Sequence, residues 1–188
     1  MLSGKALQAA IVAAPTVGLQ GVQYQATSLA CFQMPERTPG AWYSHQRFTP
    51  AGLSHALYLS DSMNVALSET ALTFRSVFQH QDIPAHVVYP VYVQATRLLD
   101  LTDMGIRALL GVSLLTLTSD WRGAVTLSRQ NPAYRVETHD LGYAAFEAGL
   151  EGIRYPSAFD PSRANSVLFT ENLAEPVRLS MPDEGGSL

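Results

Sequence analysis

Apolar and polar positions alternate with period two from Gly21 to Ser28, with Val22, Tyr24, Ala26 and Ser28 on one side and Gln23, Gln25 and Thr27 on the other. This predicts an early strand with one polar face. His55–Leu59 is a second short strand, and it runs into Ser60-Asp61-Ser62, whose side chains can cap a helix. Val65, Leu67, Ala71, Leu72, Phe74 and Phe78 then recur at three- and four-residue spacings, which predicts a helix over about 63–79. From Ala85 to Ala95 the β-branched and aromatic residues predict a strand that Pro90 confines to an edge or bulge, with Leu98–Leu101 as its extension.

Residues 2–14 are expected to form a packed or terminal helix, and the apolar run Ala9–Ala14 is too short to span a bilayer. One or two short helices are expected over 103–122, and a polar loop from Gly123 to Arg135. Thr138 is positioned to cap a helix that runs to Ala148 and ends at Gly149. Glu151–Tyr155, Asn165–Thr170 and Val177–Leu179 are the last strand candidates. Helices and strands mix without regular alternation, so the expected class is α+β, in one domain with short mixed strands and flanking helices.

Composition narrows the function classes. The 188 residues include 12 Lys plus Arg against 16 Asp plus Glu, a net charge of −4 without any basic run. Capture of nucleic acid or an anionic membrane by a basic face is therefore not expected. Cys31 is the sole cysteine, which forbids an internal disulfide and slightly favours a reducing cytoplasm; it reads as a small buried hydrophobe. His45, His55, His80, His86 and His139 show neither i,i+4 pairing nor Cys partners, so no metal is expected. Dinucleotide-fold, P-loop, nucleophile-elbow and zincin motifs are all missing. The apolar content is compatible with a homodimer.

What remains is an ordered series of segments. Arg47-Phe48-Thr49-Pro50-Ala51-Gly52 precedes Leu57-Tyr58-Leu59, then Ala66-Leu67-Ser68-Glu69, Leu99-Asp100-Leu101-Thr102-Asp103, Gly149-Leu150-Glu151-Gly152-Ile153, Tyr155-Pro156-Ser157 and Asn165-Ser166-Val167-Leu168-Phe169. The series resembles the RES-domain family, known mainly as toxins of bacterial toxin–antitoxin pairs. The resemblance covers about residues 21–180, leaving 1–20 as an N-terminal extension and 181–188 as a flexible tail. It implies an ADP-ribosyltransferase-like fold, NAD as substrate, and cleavage of the nicotinamide–ribose bond with water, phosphate or a protein side chain as acceptor. It also implies a cognate antitoxin whose own portion, rather than this chain, contacts DNA.

The resemblance assigns roles residue by residue. Glu69 would stabilise the ribosyl cation, Arg47 would position the dinucleotide, Tyr58 would pack on nicotinamide, and Ser157 would complete the polar shell, by donating to substrate or orienting Arg47. Asn165 is a further cofactor-binding candidate, while His139 and Asp140 either line the cleft or favour the positive end of a helix. The family's first motif is a Tyr-Arg pair whose Arg, the resemblance implies, helps hold the anionic part of the dinucleotide; here the corresponding place holds Tyr24-Gln25, so Gln25 is a cofactor-binding candidate, either a natural variation covered by Arg47 or an inactivating substitution. Gln lacks the charge and paired donors of Arg. Gln25 therefore motivates a second reading, a catalytically impaired binding or regulatory module with the same fold.

Overall fold

The computed structural model describes residues 1–28, 42–78, 86–174 and 178–179. Cys31, His80 and the tail 181–188 lie outside them. Six strands build a single sheet: β1 (Thr16–Ser28), β2 (Ala56–Ser60), β3 (His86–Asp100), β4 (Gly152–Pro156), β5 (Ala164–Phe169) and β6 (Arg178–Leu179). The helices described beside it are α1 (Gly4–Ala13), α2 (Met63–Phe78), α3 (Met104–Leu110), α4 (Leu114–Thr118), α5 (Trp121–Gln130) and α6 (Glu137–Glu147). The class is α+β.

The strand order β1-β2-β5-β4-β3-β6 is supplemented by a long antiparallel ladder between β1 and β3, so five strands close into a ring. Closure is uneven. The β1–β3 ladder runs from Thr16↔Leu99 to Ser28↔His86, whereas β1 meets β2 at the single pair Tyr24↔Ser60. Among the described residues only β3 and β4 pair in parallel. The ring is thus thinnest beside the start of α2. Pro90 faces Tyr24 within the ladder, and the outer edge of β3 is paired by β6 at Val91 and Tyr92.

Alternation sorts the side chains into two buried clusters. Leu57, Leu59, Tyr89, Val91, Val93, Leu98 and Leu168 fill the interior of the ring. Their neighbours Leu99, Ile153, Tyr155, Val167 and Phe169 face outward and are covered by Leu7 and Ile11 of α1, Leu110, Leu117, and Leu141 and Ala145 of α6.

Several expectations are met within a residue or two: the N-terminal helix, the helix beginning at Met63, the two short helices over 104–118, and the four strands after residue 85. β1 begins at Thr16, five residues before the alternating stretch. Three expectations need correction. The polar face of β1 is not exposed: Gln23 and Gln25 are buried, while Val22 is 42% exposed. The expected polar loop of Gly123–Arg135 is helical as far as Gln130 and irregular only beyond it, because Asp120 accepts a hydrogen bond from the Arg122 N–H and starts α5, with Val125 as its buried contact. Thr138 does not cap α6; Val136 occupies that position without a side-chain bond, and the Thr138 hydroxyl is buried with no partner among the described residues.

The loop ahead of β2 is tied to the far end of β5 through Glu171. Burial alone would raise its pKa, but the His55 N–H, the Ser54 hydroxyl and the His55 ring outweigh burial and bring it down to about 2. A carboxyl with a depressed folded pKa stabilises above its ordinary value, here 4.5, and that contribution disappears as pH falls towards 2. Glu171→Gln is expected to flatten the fall of the melting temperature across that window, which pH-dependent thermal melts will check.

Candidate functional site

A cavity of about 610 Å³ opens where the ring is thinnest. Tyr24 and Ala26 of β1, Tyr58 and Ser60 of β2, Glu69 of α2, Tyr155 of β4 and Asn165 of β5 contribute to its wall. Those on strands share the outward face. The irregular segment ahead of β2 closes the remaining side with Gln46 and Arg47, and the link from α4 into α5 with Ser119, Asp120, Trp121 and Arg122.

Glu69 sits two turns into α2, whose first turn is capped by Ser62 accepting from the Val65 N–H at 3.3 Å. Its Oε1 receives four donors: the Ser157 hydroxyl at 2.5 Å, the N–H groups of Ala158 at 2.7 Å and Phe159 at 3.2 Å, and the Asn165 amide at 3.1 Å. The set is directional. Ser157 Oγ accepts from the N–H groups of Phe159 and Asp160, so its single proton points at Glu69. Asn165 Oδ1 accepts from the Ser60 hydroxyl at 2.6 Å, which turns its amino group towards the carboxylate. With Oε1 taken, Oε2 is, among the described residues, the oxygen left for a ligand.

Arg47 is anchored from the opposite side. Its Nη1 donates to the carbonyls of Leu117 at 2.6 Å and Ser119 at 3.0 Å, where the end of α4 leaves carbonyls without helical partners. The segment around it is clamped three times. The Tyr58 hydroxyl accepts from the Phe48 N–H at 3.1 Å and shares a hydrogen bond with Thr49 at 3.0 Å. His139 Nε2 meets the Gln46 carbonyl at 2.8 Å while its ring stacks on His45. Gly142 of α6 lies so close to the Phe48 backbone that a Cβ there would stand 1.7 Å from the Phe48 carbonyl oxygen.

Burial pushes the Tyr58 hydroxyl up to about 12, only partly offset by its bonds to Thr49 and Phe48 and by the charge of Arg47. It stays protonated at neutral pH and braces the Arg47 segment. Burial likewise raises Tyr155. His45 and His139 are both lowered, chiefly by burial, so the stacked pair is neutral at neutral pH. Burial also lowers Arg122, whose guanidinium lies 4.5 Å over the Trp121 ring and feels the charges of Asp120, Arg47 and Glu69. Among the described residues no group of three or more His, Cys, Asp or Glu is arranged to hold a metal ion.

The RES domain family model matches residues 19–187. The chain belongs to the RES-domain family. A solved structure, described as the M. tuberculosis MbcT–MbcA toxin–antitoxin complex, is similar over 95% of this chain and 91% of that one, with a TM-score of 0.73 and 20% identity. At that identity the likeness speaks to the fold. No curated protein matches the chain.

In this RES domain, Glu69, Arg47, Tyr58 and Asn165 come from separate elements to one cavity. Ser157 is placed behind Glu69 and not beside Arg47; it is fully buried and touches the carboxylate. Gln25 lies on the other face of β1, inside the ring, where its Oε1 accepts from the Tyr89 hydroxyl at 2.6 Å. His139 bonds the Gln46 carbonyl, and Asp140 pairs with Arg135 at the protein surface. Trp121 and Arg122 escaped the sequence reading because the stretch that carries them was not recognised as a helix start. The one available signal was Asp120, a good N-cap residue immediately before them.

Two stability outcomes follow from these positions. Ser157→Ala removes a donor and an acceptor from a buried network and is expected to cost about 1–3 kcal/mol, roughly 2–4 °C of melting temperature per kcal/mol in a chain of this size. Gln25→Arg puts a charge among Tyr89 and the ring's apolar side chains and should cost on the order of 2–4 kcal/mol without delivering a cation to the cavity. Calorimetry on both variants checks the figures.

Proposed function

We propose that this RES domain is the toxin of a toxin–antitoxin pair and acts in the cytoplasm by consuming NAD through cleavage of its nicotinamide–ribose bond. The observation that carries the reading is the fixed Glu69 carboxylate on the wall of a cavity whose opposite side presents Arg47. When the bond breaks, its electron pair leaves with the nicotinamide nitrogen and positive charge develops on the ribose, as in glycoside hydrolysis. A carboxylate already oriented by four donors stabilises that charge without reorganising at the moment of reaction. An acceptor then supplies the electron pair that forms the new bond at the ribose carbon: water, inorganic phosphate or a protein side chain.

Arg47 supplies paired donors suited to phosphate oxygens. Tyr58 contributes an aromatic wall while its hydroxyl braces the Arg47 segment. The position of Gln25, on the far side of β1, supports turnover over the impaired-module reading, since a residue outside the cavity wall does not decide the cavity's charge. Similarity to a solved toxin–antitoxin complex supports a cognate antitoxin as partner; its DNA-binding portion, and a homodimer of this chain, belong to the same proposal. No helix among the described residues is long and apolar enough to cross a membrane.

Purified protein is expected to release nicotinamide from NAD, and Glu69→Gln to lower the rate by roughly 100-fold or more, the scale of losing one preorganised electrostatic group. Adding the neighbouring gene's product should suppress release. Equal rates for the parent and Glu69→Gln would overturn the role of Glu69, and no release by the parent would overturn the reaction.

A further inference from the structure

We infer that Ser60 and Asn165 are positioning residues that act through Glu69: the Ser60 hydroxyl holds the Asn165 amide in one orientation, and that amide sets where the second oxygen of the carboxylate points. The inference rests on the reading of Glu69 as the group that stabilises the ribosyl cation. It moves Asn165 from the residues that would hold the dinucleotide to those that aim the acid, and it gives Ser60 a part in the reaction.

The three residues are brought together by the end of β2. Ser60 stands at its last position, opposite Asn165 of β5 and at the single pairing with β1. The exit of the chain from the sheet is fixed there. The Asp61 N–H donates to the Ala164 carbonyl at 3.1 Å, the Asp61 carboxylate accepts from the Ala164 N–H at 3.1 Å, and Ser62 then caps α2. The helix that carries Glu69 therefore starts beside the strand position that carries its amide donor.

An Asn side chain can turn either end of its amide towards a neighbour, one end accepting and the other donating. Ser60 removes the choice. Its one proton goes to Asn165 Oδ1 at 2.6 Å, so Nδ2 faces Glu69 Oε1 at 3.1 Å, and the reverse orientation would set a carbonyl oxygen against a carboxylate. Ser60 is 5% exposed and Asn165 4%, so both border the cavity with little surface to offer a ligand. The other three donors to Oε1 belong to the turn 157–159. A carboxylate oxygen favours donors near its own plane. A donor from β5, added to those from the turn, therefore narrows the plane of the Glu69 carboxylate and with it the direction of Oε2.

The test separates positioning from binding by following nicotinamide release from NAD. Ser60→Ala should lower kcat roughly 10-fold, the scale of one hydrogen bond lost at a charged group, with KM within about 2-fold of the parent. Ser60→Thr, which keeps the hydroxyl, should recover most of that rate. In a Glu69→Gln background the Ser60→Ala effect should vanish, because no charge is left to aim. Should Ser60→Ala fail to fold, Asn165→Ala carries the same expectations. A folded Ala variant with the parental kcat, a loss confined to KM, or a loss of the same size in the Glu69→Gln background overturns the inference. If the parent releases no nicotinamide, the NAD reading fails by itself, and crystal structures of the parent and the two Ser60 variants decide the positioning role. A Glu69 carboxylate displaced in Ser60→Ala and restored in Ser60→Thr supports it; one unmoved in both defeats it.

Discussion

A carboxylate lowered into a protein wall loses hydration, and hydrogen-bond donors must take the place of the water. At Glu69 the replacement is complete on one oxygen. A hydroxyl, two main-chain N–H groups and a side-chain amide meet at Oε1, supplied by the turn after β4 and the beginning of β5. This convergence binds α2 to the sheet at the place where the ring is least well closed, so one set of bonds both joins the architecture and aims the acid. The geometry is redundant in direction as well as number, because Ser157 and Asn165 are themselves oriented by Phe159, Asp160 and Ser60.

The cationic side is organised differently. Arg47 is carried by a segment without regular structure, and rigidity is lent to it by neighbours: a buried phenol from β2, an imidazole from α6, and the carbonyls at the end of α4. Loops that bear functional groups on a rigid scaffold commonly rely on such borrowed order. The acid is thus fixed by its own hydrogen bonds, whereas the cation is fixed through the backbone beside it. That difference makes the acid sensitive to substitution of its direct partners, and the cation sensitive to packing changes some distance away.

The parts of the fold legible in the sequence are those where local signals and burial agree. α2 is readable because Ser62 caps a segment with apolar three- and four-residue spacing, and β2, β4 and β5 are readable as short apolar runs between turn residues. The failures share a cause, which is that tertiary context redefined polar residues. Gln23 and Gln25 gave β1 a polar face, but Gln25 is satisfied inside the ring by Tyr89, sixty-four residues away. α5 has few apolar residues, and its start depends on a cap more than on a stripe. The motif-bearing residues Arg47, Tyr58, Glu69 and Asn165 were legible as a group, and the fold brings all four to one cavity. Ser157 was legible as a site residue, though its orientation towards Glu69 depends on the turn after β4, which no spacing in the chain reveals.

The close approach of α6 to Phe48 has a mechanical consequence. Glycine at position 142 lets a helix rest directly on main chain, so there is no side chain between them to yield. α6 is also packed by α1, whose Leu7 and Ile11 are sunk in the same cluster as Phe48 and Leu141. The amino-terminal helix, α6 and the arginine-bearing loop therefore meet in one closely packed cluster. Trimming or tagging the first dozen residues would be felt at the mouth of the cleft, although that helix contributes no atom to it.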